Sequence, residues 1–269
     1  MSDEILSLAE RKRLRAKKIK KHGLANILTH WFNVASWVIL LSTGLALLAN
    51  PNLRIMPQGY IDFFSHLFGG VGQLVQAHKV FGLIWLFVIS YNVLLGFRRY
   101  FVPFARKRML LTSDDLSWFR EYGKKLLGLK YHLPPQDAYN AGQKAFGYVV
   151  ILGTVTIGLT GLIMTFAYLL PLELRGIVQW LRPLHFLAVG GIVTGLVIHV
   201  YMAAFFPEEK SAFFSMFNGD VDALYARLHH KKWYEDKLKE ERAYELKVRL
   251  EELEAREAET PETEKQATA

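Results

Sequence analysis

Four windows of about 20 mainly apolar residues, at 28–49, 78–97, 146–170 and 184–206, constrain this chain more than any other feature of it. Each is bounded by charges, proline or both, and each is long enough to cross a hydrocarbon core of about 30 Å as a helix. Inside such a core a chain must satisfy its backbone polar groups within its own segment, which favours helices. The windows therefore predict an all-α integral membrane protein, a four-transmembrane-helix bundle over residues 28–206. A basic tail at 1–27 precedes it and a charged tail at 207–269 follows. A chain that is 51% hydrophobic yet 22% charged fits this segregation.

Basic residues near the ends of spans mark the cytoplasmic side. They crowd before the first window, from Arg11 to Lys21, after the second at Arg98, Arg99, Arg106, Lys107 and Arg108, and beyond the fourth at Lys231 and Lys232. The other two connections offer only Arg54, Lys79, Arg175 and Arg182. An even number of spans with both termini cytoplasmic satisfies this bias. The N-terminal segment lacks an apolar core followed by a small-residue cleavage site, so it is expected to stay on as a tail and not to act as a cleavable signal. The net charge of +8 flanks apolar spans and accompanies no nucleic-acid-binding module, so a membrane surface is the partner it implies.

Between the first two spans, residues 58–76 space Phe63, Phe64, Leu67, Leu74 and Val75 as on an amphipathic helix lying in the interface. The connection after the second span predicts a short helix capped by Ser113. The end of the chain, from Lys247 onward, reads as a solvated helix fraying into disorder, without chemistry of its own.

There is no cysteine, so no disulfide, thiolate zinc site, cysteine-ligated cluster or c-type haem attachment can be built here. Four of the nine histidines fall in the spans, where ionisable groups are costly and mark function. His30 opens the first span on the cytoplasmic side and His78 opens the second on the outer side. His185 opens the fourth outside, and His199 lies deeper along the same helix. The last two are fourteen positions apart, about 21 Å along the axis and within roughly 40° of one face. One helix thus carries two ligands near opposite membrane surfaces, with His78 at the depth of His185 and His30 at the depth of His199.

Two bis-histidine sites at matched depths suit low-spin haem b, whose iron takes two axial imidazoles from facing helices. The sequence thus predicts two haem b groups, with His30 paired to His199 and His78 to His185 as ligands of haem iron. A lone histidine would read equally well as a helix–helix hydrogen bond, and paired depth is what favours ligation. His66 competes with His78 for the outer site, but a ligand on an interfacial segment is poorly fixed. His22, His132, His229 and His230 read as surface residues. Gly44, Gly190, Gly191 and Gly195 give room for a porphyrin edge or, equally, for close helix packing.

Several segments resemble the cytochrome b (gamma) subunit of membrane-bound respiratory formate dehydrogenases: THWFNVASWVILLSTGLAL in the first span, HKVFG in the second, YNAGQK before the third, a histidine fourteen residues ahead of HVYMA in the fourth, and HHKKWY in the tail. The resemblance covers most of the chain. Paired histidines alone also fit the cytochromes b of hydrogenases and thiosulfate reductases, and YNAGQK is the more specific signal. The resemblance implies that Asn140 and Gly142, with Gln143 and Lys144 nearby, form a quinone pocket beside the cytoplasmic haem, with His199 facing the quinone headgroup. Asn offers a donor and an acceptor to a quinone carbonyl, and Gly admits a ring against backbone. The same residues could instead be a capped helix start anchored by Lys144. Lys79 and Arg182 near the outer haem, and Arg98 and Arg99 near the inner one, could pair propionates or serve as interface anchors.

The resemblance further implies electron transfer from a periplasmic iron–sulfur subunit, through the outer and then the inner haem, to menaquinone or ubiquinone. Formate oxidation would belong to a separate molybdenum or tungsten subunit, so no catalytic residue for formate is expected in this chain. The setting implied is the bacterial inner membrane, within a complex that could form a higher oligomer. Two alternatives stand beside this reading: the cytochrome b subunit of a hydrogenase, thiosulfate reductase or other quinone-linked oxidoreductase, and a haem-free anchor or proton-coupled transporter using the histidines as polar glue.

Overall fold

The structure is a computed structural model that describes residues 6–52 and 54–259, with side chains described to residue 255. In chain order the helices are α1 (Leu8–Ala16), α2 (Leu24–Leu47), α3 (Gln58–Leu67), α4 (Val71–Gly96), α5 (Val102–Phe104), α6 (Ser113–Leu126), α7 (Ala141–Thr165), α8 (Val178–Phe205), α9 (Lys210–Asn218), α10 (Ala223–His229) and α11 (Lys231–Glu259). Short strands β1 (Lys18–Lys20) and β2 (Asp220–Asp222) pair in a two-stranded sheet. Four helical stretches, Leu24–Leu47, Val71–Met109, Ala141–Thr165 and Leu172–Phe205, are long and apolar enough to cross a membrane. They carry the four expected windows. Their outward faces are apolar, with Phe87, Leu94 and Leu187 each about two-thirds exposed or more, as lipid-facing positions require.

The chain divides into two compact units, one built from Met1–Lys17, Thr112–Ala141 and Asp222–Ala269, the other from Lys18–Leu111 and Gly142–Val221. The second unit holds the four spans. In it α2 is joined to α4 and to the helical turn Phe97–Phe101 that follows it by a ladder of polar side chains: Asn26 Nδ2 to Tyr100 Oη at 3.1 Å, Asn92 Nδ2 to Thr29 Oγ1 at 3.2 Å, and Trp85 Nε1 to Asn33 Oδ1 at 3.0 Å. Tyr60 on α3 donates to the Ser42 carbonyl at 3.0 Å, which ties the interfacial helix to the end of α2. Between α7 and α8, glycines permit close approach. A Cβ on Gly153 would stand 2.5 Å from Ile192, and one on Gly195 would stand 2.7 Å from the Phe146 ring.

Three local expectations are corrected. The interfacial helix does not run to residue 76. Gly69 and Gly70, at φ 80° and 120°, stop α3 and let α4 start at Val71, because only glycine takes this turn without strain. His78 therefore sits about two turns inside its helix, as does His185, since α8 starts at Val178. Thr112, and not Ser113, caps α6, in a reciprocal capping box with Asp115. Residues 260–269, where fraying into disorder is expected, lie outside the described residues.

The first unit joins segments far apart in sequence. His230 is buried at 1% exposure, not at the surface as its basic surroundings suggest. Its Nδ1 donates to the Asp137 carbonyl at 2.6 Å, so Nε2 is the acceptor facing Tyr225 Oη at 3.3 Å. The Lys232 N–H donates to the Gln136 carbonyl at 3.1 Å, and Gln136 Oε1 accepts the first N–H of α7, from Ala141, at 3.0 Å. The start of α11 thus fixes the loop that leads into the third span. Lys232 also pairs with Asp114, and Lys17 with Glu241 at 2.7 Å. Replacing His230 by Ala removes its hydrogen bonds to the Asp137 carbonyl and the Tyr225 hydroxyl, at about 1 kcal/mol for each bond lost. Hydrogen exchange is expected to quicken selectively in residues 128–140 of that variant.

Glu121 supplies the pH-sensitive fastening of the same unit. Its carboxylate accepts from Lys124 Nζ at 2.7 Å and from the His132 N–H at 3.1 Å, and these bonds, Lys124 first, push its pKa down to about 2 from an ordinary 4.5. The stabilising contribution of a depressed carboxyl is complete above the ordinary value and is lost as pH falls through the folded one. A carboxyl NMR titration is expected to place the Glu121 midpoint near 2, and Glu121→Ala, which removes the acceptor, is expected to release the His132 amide at neutral pH.

Candidate functional site

Each of the four span histidines has one other on a facing helix within electrostatic reach. His30 on α2 lies within electrostatic reach of His199 on α8, and His78 on α4 within reach of His185 on α8. Among the described residues no group of three or more His, Cys, Asp or Glu gathers that could hold a metal ion directly. His66 is exposed at the end of α3.

His78 and His185 are each braced by a threonine on another span. Thr43 Oγ1 on α2 lies 2.8 Å from His78 Nδ1, and Thr160 Oγ1 on α7 lies 2.8 Å from His185 Nδ1. Both threonines are buried, and each turns its own proton back along its helix, Thr43 to the Ile39 carbonyl at 2.8 Å and Thr160 to the Thr156 carbonyl at 2.7 Å. Each hydroxyl oxygen is thereby left to accept from a ring N–H. The glycine after each threonine faces the same imidazole: a Cβ on Gly44 would stand 3.3 Å from His78 Cε1, and one on Gly161 would stand 3.6 Å from His185 Cε1. Sequence reasoning found Gly44 but missed Thr43, Thr160 and Gly161. The available signal was the dipeptide Thr-Gly near the end of both the first and third spans.

His30 and His199 meet aromatic rings instead. Phe146 on α7 stacks on His199 with ring centroids 5.0 Å apart and planes 17° from parallel, and Trp31 meets His30 edge to face at 5.4 Å. Trp31 is in turn fixed by its Nε1 donating to the Met216 carbonyl at 2.8 Å. Phe146 also takes the room beside Gly195, which therefore serves packing, whereas Gly190 and Gly191 would meet no atom within 4 Å of an added Cβ.

Gly142 and Gln143 lie in the first turn of α7, four and three residues before Phe146, so the helix start that carries them leads to His199 within one turn. Asn140 immediately precedes α7 in the chain. Lys144 is buried and donates to the Leu110 carbonyl at 3.1 Å, while Tyr148 Oη donates to the Met109 carbonyl at 2.7 Å.

Just before α2 the turn at Gly219, φ 84°, accepts the amide protons of Lys21 and His22 at 2.9 Å each. Burial pushes Lys21 down to about 8 against the opposing pull of Glu209. Burial likewise pushes His22 down to about 4, assisted by Lys21, His30 and Lys20, so His22 is neutral near pH 7.

Residues 21–219 match the family described as prokaryotic cytochrome b561. The chain belongs to that family. It is a membrane cytochrome b of electron transfer, and the family implies haem b. Similar curated proteins are the cytochrome b556 subunit of formate dehydrogenase from Haemophilus influenzae, 23% identical over 82% of this chain and 84% of the relative. Two from Escherichia coli K12 are the b556(fdo) subunit, 22% identical over 82% and 94%, and the nitrate-inducible b556(Fdn) subunit, 23% identical over 82% and 93%.

The residues of this b561-family chain fit the group the family implies. Two imidazoles from facing helices can supply the axial ligands of one iron, and the outer two have an Nδ1 partner that leaves Nε2 able to coordinate.

Proposed function

We propose that this chain is the dihaem cytochrome b subunit of a formate dehydrogenase complex, passing electrons from a periplasmic iron–sulfur subunit to menaquinone or ubiquinone near the cytoplasmic side. The observation that carries the proposal is that His185 and His199, fourteen positions apart on α8, each lie within electrostatic reach of a histidine on another span, His78 on α4 and His30 on α2. His78 and His185 are assigned to the outer haem b, His30 and His199 to the inner one. Each haem, when bound, supplies reversible one-electron carriage, and the chain supplies ligation, orientation and exclusion of water. Asn140, Gly142 and Gln143 are assigned to the quinone, supported by the resemblance of YNAGQK and by the single turn between Gly142 and Phe146. Asn140 would hydrogen-bond a quinone carbonyl, and Gly142 would admit the ring. The basic residues near the span ends support cytoplasmic termini, and quinone reduction on that topology takes its protons from the same side.

The test is purification of the intact complex through a tag on this chain. An iron–sulfur subunit and a molybdenum or tungsten formate-oxidising subunit are expected to copurify, with formate reducing the b-type absorption. A hydrogenase or thiosulfate reductase catalytic subunit in their place would reassign the donor. In oriented vesicles, proton uptake from the outer side would contradict the topology.

A further inference from the structure

Thr43 and Thr160 stand in equivalent places. Each lies near the outer end of a span, each is followed by glycine, each is buried, and each places its Oγ1 2.8 Å from Nδ1 of the histidine in the next span. Each hydroxyl has one proton, and a helix carbonyl at 2.8 Å or 2.7 Å takes it. The proton on the shared bond therefore belongs to the imidazole. A neutral imidazole protonated at Nδ1 presents its lone pair at Nε2. Among the described residues no such hydroxyl bond meets His30 or His199, whose neighbours are the rings of Trp31 and Phe146.

We infer that Thr43 and Thr160 are positioning residues that hold His78 and His185 in the Nδ1–H tautomer and lower the reduction potential of the outer haem relative to the inner one. This rests on the haem ligation proposed above. A ligating imidazole that donates its other N–H to an acceptor becomes the more basic ligand and stabilises the ferric state. The outer haem has two such ligands and the inner has none, so a single electron leaving outer ferrous iron for inner ferric iron moves downhill. Gly44 and Gly161 complete the arrangement by letting each imidazole lie against the helix that carries its threonine.

The test uses the full chain in detergent, with Thr43→Val, Thr160→Val and the double variant, and with Thr43→Ser and Thr160→Ser as the variants that keep the acceptor. Midpoints are read by spectroelectrochemical titration and axial ligation by electron paramagnetic resonance. The outer midpoint is the one absent from His78→Ala. Each valine is expected to shift the outer ferric-to-ferrous equilibrium about tenfold toward reduction, about 59 mV for one electron. The inner midpoint stays in place and the serine variants stay near wild type. If valine variants shed the outer haem while serine variants retain it at the wild-type potential, the inference also holds. Unmoved midpoints and resonance signals in the double valine variant overturn the inference and leave ligation intact, as do equal shifts of both haems or serine behaving like valine. Wild-type protein with no b-type signal overturns ligation and inference together.

Discussion

His199→Ala is expected to remove the inner haem and quinone reduction together, while the outer haem remains and is still reduced by the donor. His199 is the ligand on α8 that the proposal assigns to the inner haem, and His30 alone would leave that iron with one axial imidazole. Even the loss of a partner outside the ligand set costs about 10–100-fold in metal affinity, so loss of the ligand itself should exceed the upper figure. Phe146 would lose its stacking partner at the same time, which disturbs the α7 turn that begins at Gly142. The outer site is insulated from the change, because His185 keeps its bond to Thr160 about 21 Å away along the helix. Reduced-minus-oxidised spectra are expected to show half the wild-type amplitude, and stopped-flow quinone reduction to fall more than about a hundredfold.

His78→Ala is expected to act at the other end. The outer haem is lost, electrons from the donor no longer enter, and the inner haem stays reducible by quinol. His66→Ala separates the two outer candidates and is expected to leave both haems and the rate unchanged. The distinction is physical. His78 lies two turns inside α4 and is braced by Thr43 on α2, whereas His66 is exposed on the last turn of a ten-residue helix. A ligand must be held to within a fraction of an ångström by its surroundings, which only His78 has. Loss of the outer haem in His66→Ala, with retention in His78→Ala, would exchange the two assignments.

The spans were legible because hydropathy and length report directly on a bilayer solvent, and the proposed histidine pairs rest on the same kind of signal, since a helix turns sequence separation into depth. Helix starts were less so. The pair Gly69–Gly70 was the available sign that α4 begins at Val71, and without it His78 reads as a helix terminus. The threonine braces could not be read, since the bonds from Thr43 to His78 and from Thr160 to His185 join side chains on different helices and leave no local pattern beyond Thr-Gly. His230 was misread for the same reason. Its neighbours in sequence are basic, but its partners Asp137 and Tyr225 are supplied by the loop before α7 and by α10, and only tertiary structure shows that they bury it.

Haem stoichiometry tests the central claim most directly. A pyridine haemochrome assay on the purified full chain, set against protein concentration, is expected to give two b-type haems per chain. It should give one in His30→Ala and one in His78→Ala. A wild-type ratio of one or zero, or two haems surviving either substitution, would contradict the two-pair assignment.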